Sequence, residues 1–108
     1  MEITSAVNAL EALAHQTRLS VFRLLVRAGP QGMSAGQIAE RLDALQNTMS
    51  SHLAKLHRAG IVTSEREGRH IIYRADFAAV SGLILYLMED CCGGSAELCD
   101  PIAATFKC

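Results

Sequence analysis

At 108 residues, half of them hydrophobic and 19% charged, the chain is sized for one compact domain and is too apolar for global disorder. Its longest apolar run, Leu83 to Met88, falls far short of the ~20 residues of a membrane span, and Met1-Glu2-Ile3-Thr4 lacks the features of a secretory signal; a cytoplasmic protein with no membrane partner is expected. The net charge of −1 argues against a nucleic-acid partner only as a sum. Lys55, Arg58, Arg66, Arg69 and Arg74 crowd a stretch opposed by Glu65 and Glu67 alone, and it is a local basic surface that binds phosphates.

Ile3, Val7, Leu10 and Leu13 recur at helical spacing and predict a first amphipathic helix. A second is expected from about Thr17 to Ala28, stopped by Gly29-Pro30. Ser34 and Gln37 fit a capping box that opens a short third helix, with Met33 placed to staple onto Ile38. Asp43-Ala44-Leu45 reads as a tight turn into a fourth helix, Gln46 to Ala59, closed by Gly60. Two helices joined by about three residues form a helix-turn-helix. Ile61 to Arg66 and Arg69 to Ala75 then read as a β-hairpin around Glu67-Gly68, with Val62, Ile71 and Tyr73 as packing residues. Asp76 caps a last helix, Phe77 to about Cys91, apolar nearly all round; such a helix needs partners on several sides, and a second copy of the chain is the expected one.

The fourth helix divides into two faces. Met49, Leu53 and Leu56 make the buried stripe; opposite lie Asn47, Ser50, Ser51, Ala54, Lys55 and Arg58, without a single acid. Short hydroxyl and amide side chains let a helix approach base edges, and flanking cations meet phosphates. Gln46, Asn47, Thr48, Ser50, Ser51, Lys55 and Arg58 are therefore the candidate DNA contacts on this helix. Arg66, Arg69 and His70, at or near the hairpin tip, are candidates for a wing gripping the backbone beside the groove. The bland alternatives are a solvated helix face and a charged, soluble turn.

These segments resemble the ArsR/SmtB family of winged-helix metalloregulators. The likeness is carried by Ala12-Leu13-Ala14 with Thr17-Arg18-Leu19, by Gln46 through Leu53, by Leu56 with Ala59-Gly60-Ile61-Val62, and by Arg66-Glu67-Gly68-Arg69 with Tyr73. It runs over roughly residues 5 to 90. The resemblance implies a mainly α winged helix-turn-helix with a β-hairpin wing and a helical dimer interface. It also implies a homodimeric repressor, not an enzyme, that holds a double-stranded, inverted-repeat operator when metal-free and lets go when its ion binds. Residues 1–92 would form the DNA-binding and dimerisation domain and 93–108 a metalloid-binding tail. Four departures stand out. His15-Gln16 replaces the usual Asp-Pro, predicting a weaker start for the second helix, and Leu45 stands where a serine often caps the recognition helix. The third helix has no cysteine, and Phe77 to Cys92 has no histidine to join Asp76 in a zinc site. What remains resembles members whose arsenic site is a vicinal cysteine pair plus a later cysteine.

All four cysteines, Cys91, Cys92, Cys99 and Cys108, follow residue 90; in a reducing cytosol they are expected to be ligands or redox-active thiols rather than disulfides. Trivalent arsenic and antimony take three sulfurs, and Cys91, Cys92 and Cys99 supply that number, with Gly93-Gly94 permitting the chain to reverse between them. Arsenous acid exchanges three hydroxyls for three thiols and releases three waters, so the site gains no charge. Three thiolates on zinc would instead leave a negative site among Glu89, Asp90, Glu97 and Asp100. That acidic setting also disfavours the free thiolate that an enzyme nucleophile requires. As(III) is thus the expected inducer, with Sb(III) or monomethylarsenite possible and no organic cofactor. A redox or persulfide switch on the same frame, an arsenic scavenger that binds no DNA, and cysteines packed merely as small hydrophobes stay open. His52 is expected to be packed or backbone-bonded rather than a ligand.

Overall fold

The computed structural model describes Met1 to Met88; the four cysteines and the domain boundary drawn at residue 92 lie outside the described residues. In chain order come α1 (Ile3–Leu13), α2 (Gln16–Ala28), a 3-10 turn (Gly29–Gln31), β1 (Met33–Ser34), α3 (Ala35–Arg41), α4 (Gln46–Arg58), β2 (Val62–Glu67), β3 (His70–Ala75) and α5 (Phe77–Met88). The mainly helical architecture with a small β wing is the expected one. The sheet has one strand more than the hairpin: the order is β1-β3-β2, antiparallel, with Met33 opposite Tyr73 and Ser34 opposite Ile72. A two-residue strand carries too short a pattern to be read from sequence.

Both ends of α3 and the end of α4 are fixed by their caps. Ser34 Oγ accepts from the Gln37 N–H at 3.2 Å, and Gln37 Oε1 accepts from the Ser34 N–H at 3.0 Å, completing the reciprocal box. At the other end, Ala44 N–H donates to Ala39 O (2.9 Å) and Asp43 N–H to Glu40 O (3.3 Å). This is a Schellman turn with Asp43 at φ 52 in the place glycine usually takes. The same motif ends α4: Ile61 N–H reaches Leu56 O and Gly60 N–H reaches His57 O, with Gly60 at φ 81. The helix-turn-helix is therefore held by main-chain bonds as well as by its core.

That core is built from Val21, Leu25, Ile38, Met49, Leu53, Leu56, Ile61 and Val62, all fully buried. The stripe of α4 behaves as its spacing predicts. Of the stripe expected on α1 only Leu13 packs against the core, partly buried; Ala6, Ala9 and Ala12 are the buried residues of α1, while Ile3, Val7 and Leu10 point to solvent. Alanines allow α1 to lie close against α2 and α4. Ile71, expected to pack, is exposed as well, because the hairpin runs past the core before it turns. The turn itself is Gly68-Arg69, one residue later than expected, with Glu67 opposite His70.

Candidate nucleic-acid interface

α4 begins at Leu45, whose backbone is extended (φ −75, ψ 137) and whose side chain offers no cap, as its identity predicts. Asn47 Oδ1 accepts from the Thr48 N–H at 2.9 Å in partial compensation. No acid lies in the first turn, and Lys55, His57 and Arg58 occupy the last turn, where cations offset the negative end of the helix dipole. All ten candidate residues, Gln46, Asn47, Thr48, Ser50, Ser51, Lys55, Arg58, Arg66, Arg69 and His70, are exposed.

The structure brings four of them together. Gln46 and Ser50 on α4 face Arg69 and His70 of the wing across a groove of about 360 Å³, floored by Ser34 and Tyr73. Sequence reasoning missed Ser34 and Tyr73 as groove residues; the pairing of β1 with β3, which sets the start of α3 beside the wing, is what places them there. Arg66 stands on β2 opposite Ile71. Lys55 and Arg58 lie apart, lining a separate cleft with residues of α1 and α2.

Arg74, the remaining cation of the basic stretch, has structural partners. Its Nε donates to Pro30 O at 2.7 Å and its Nη2 pairs with Glu67 at 3.0 Å, the only ion pair among the described residues. One arginine thus ties the wing to the turn after α2 and offsets one of the wing's acids.

His15 overturns the expectation of a weak start for α2. Its Nδ1 accepts from the Thr17 N–H (3.1 Å) and the Arg18 N–H (3.5 Å), doing the work of the missing aspartate. Its ring packs against His52, centroids 4.8 Å apart. The expected packing of His52 is found, but its Nδ1 is buried without a hydrogen-bond partner among the described residues. Burial first, then the neighbouring His15, Arg18 and Lys55, hold the His52 pKa below its ordinary 6.5. No three His, Asp or Glu side chains gather into a metal site among the described residues. Asp76 instead caps α5, its Oδ1 accepting from the Ala79 N–H at 3.1 Å.

No helix among the described residues is long and apolar enough to cross a membrane. A family model described as a helix-turn-helix domain matches residues 13–65. The transcriptional activator HlyU of Vibrio cholerae is 32% identical over 79 residues, which cover 73% of this chain and 70% of HlyU. An ArsR-like transcriptional regulator from a Rhodococcus species superposes with a TM-score of 0.70 at 28% identity, covering 94% of this chain and 90% of that one. The homodimeric winged helix-turn-helix DNA-binding domain of a possible ArsR-family regulator from Mycobacterium bovis gives 0.65 at 26% identity, covering 80% and 78%. With the extended wing, the capped helix-turn-helix and these likenesses together, the chain belongs to the ArsR family of winged helix-turn-helix transcription regulators and is not an enzyme.

Proposed function

We propose that the chain is a homodimeric repressor that binds an inverted-repeat operator in the ligand-free state and is released when Cys91, Cys92 and Cys99 capture trivalent arsenic. Gln46, Asn47, Thr48, Ser50 and Ser51 would meet base edges, and Lys55, Arg58, Arg66, Arg69 and His70 the backbone. The dimer would cover the outward stripe of α1, Ile3, Val7 and Leu10, together with Phe77, Ile84, Leu85 and Leu87 exposed on the neighbouring α5.

One observation carries this reading: an acid-free, exposed α4 face and a three-thiol tail share a chain of 108 residues, joined by the apolar helix α5. Cys91 follows the last described residue of α5 by three positions. Three soft, neutral thiols match a trivalent centre that keeps a lone pair, and the exchange with arsenous acid releases three waters without adding charge. Antimonite and monomethylarsenite share the chemistry. The match to the helix-turn-helix family model covers residues 13–65, so it supports the DNA-reading half and leaves the inducer to the sulfur chemistry.

Fluorescence anisotropy of a labelled fragment from the gene's own upstream promoter tests both halves. Nanomolar-range binding that is lost on adding arsenite is the expected result. No binding at any salt concentration would favour a scavenger. Release by peroxide or persulfide that reductant alone reverses, with no response to arsenite, would favour a redox switch.

A further inference from the structure

We propose that the cleft between α1, the start of α2 and the last turns of α4 is a phosphate site, filled by one backbone phosphate of the operator. The inference rests on the DNA-binding reading and extends the footprint to α1 and α2, two elements with no part in base recognition.

The cleft measures about 290 Å³ and is lined by Asn8 and Glu11 of α1, Arg18 of α2, and Lys55 and Arg58 of α4. Three cations thus face a single carboxylate, and among the described residues none of them is ion-paired to it. Arg18 is held at the rim by its Nε, which donates to Ala12 O at 2.6 Å. Neither of its Nη groups has a hydrogen-bond partner among the described residues, so the outer half of a pre-oriented guanidinium fork is left to a ligand. Asn8, exposed beside it, adds an amide donor. The field is felt next door: Arg18 and Lys55 are among the groups that disfavour a proton on His52.

Helix length says where this cleft comes to lie. The 13 residues of α4 extend ~20 Å, against a major groove ~12 Å wide. A helix seated by its N-terminal half overruns the groove, and its last turn, with Arg58, comes over the sugar-phosphate wall. Lys55 and Arg58 then bring the cleft, with Arg18 and Asn8, onto that wall.

The test is anisotropy of the full chain on promoter DNA across a range of salt concentrations, with variants Asn8→Glu and Arg18→Gln and the control Gln31→Glu, an exposed site on the turn after α2. Each lost phosphate contact makes the slope of log K against log salt shallower by ~0.9. Asn8→Glu and Arg18→Gln should each show that change with about tenfold weaker binding, whereas Gln31→Glu keeps the wild-type slope. Asn8→Glu leaves the Arg18 bond to Ala12 intact, so a folding defect in Arg18→Gln does not blunt the test. Wild-type binding with Asn8→Glu matching Gln31→Glu in slope would overturn the site while sparing the DNA-binding reading; no wild-type binding would overturn both. Titration of DNA-free protein with inorganic phosphate provides the other arm. Saturable binding lost in Asn8→Glu, with the DNA slope unmoved, would assign the cleft to a free anion and overturn the backbone assignment.

Discussion

Replacing Gly32 with alanine tests how firmly the wing is fastened to the helical body. Gly32 lies between the 3-10 turn and β1 with φ 65 and ψ −172, a backbone region that is essentially glycine's alone and costs other residues about 1–3 kcal/mol. A Cβ there would also stand 2.6 Å from Tyr73 O and 2.7 Å from both Ile72 Cγ2 and Arg74 Cγ. The first of these is main chain of β3 and cannot swing aside, so β1 must part from β3 or the turn must move outward. Either movement strains the Met33–Tyr73 pairing and the bond from Arg74 to Pro30 O. Adding one lost main-chain bond of ~1 kcal/mol brings the total to about 2–4 kcal/mol, roughly 8–32 °C in midpoint for a domain of this size. Gly60→Ala is the internal control: φ is 81, but nothing lies within 4 Å of the added methyl. Only the left-handed penalty of about 1–2 kcal/mol applies, and the ~0.4–1 kcal/mol gained from a stiffer unfolded chain is common to both variants and cancels between them. Urea and thermal unfolding at one fixed protein concentration compare the two. If Gly32→Ala proves no worse than Gly60→Ala, the contact between this turn and β3 carries no energy and the reasoning is wrong.

The caps make an opposed pair: Ser34→Ala should cost ~1 kcal/mol by breaking the box on α3, while Leu45→Ser should stabilise by ~0.5–1 kcal/mol, because its extended backbone already has N-cap geometry. Urea midpoints measure both, and a destabilised Leu45→Ser would refute the cap argument. His52 has its pKa lowered in the fold, so its neutral form is favoured there; its contribution is fully present above 6.5 and is lost as pH falls from there through the folded value. The midpoint should therefore fall more steeply with acidification below pH 6.5 in the wild type than in His52→Asn, and equal slopes would contradict this. For the tail, Cys99→Ser should retain operator binding and lose its release by arsenite in the anisotropy assay; release that persists would mean two sulfurs suffice.

Much of this fold could be read from local rules. The box at Ser34 and Gln37, the stripe of Met49, Leu53 and Leu56, and the glycine after α4 each depend on a few neighbouring residues, and each stands where its spacing put it. What escaped the sequence depends on distant partners. Ile3, Val7 and Leu10 share a helical stripe, but only the packing of α1 decides that its alanines face inward. His15 was missed for a different reason: its partners, the Thr17 and Arg18 N–H groups, are local, but histidine is not among the residue types that usually cap a helix. The groove between α4 and the wing owes Ser34 and Tyr73 to a two-residue strand. Arg58 was legible as a cation on an outer face, but not as one wall of a cleft completed by Arg18 six residues past Ala12 in another helix.

The route by which a tail ligand would reach the DNA surface is constrained by these contacts. α5 packs on α1, and α1 in turn packs on α4. The buried residues of α1 are Ala6, Ala9 and Ala12, short side chains that interdigitate little, so in the proposed mechanism α1 would carry a displacement as a rigid rod rather than by repacking a core. The helix-turn-helix, by contrast, is locked by the box on α3 and by two Schellman turns. On the proposed reading, release would need no unfolding of the reading head. It would need only a change in how two heads are spaced, because half-sites one DNA turn, ~34 Å, apart tolerate little error in register. A hundredfold loss of affinity corresponds to ~2.7 kcal/mol of coupling. In the proposed dimer, the apolar side chains exposed on α1 and α5 would supply that by shifting between two packings.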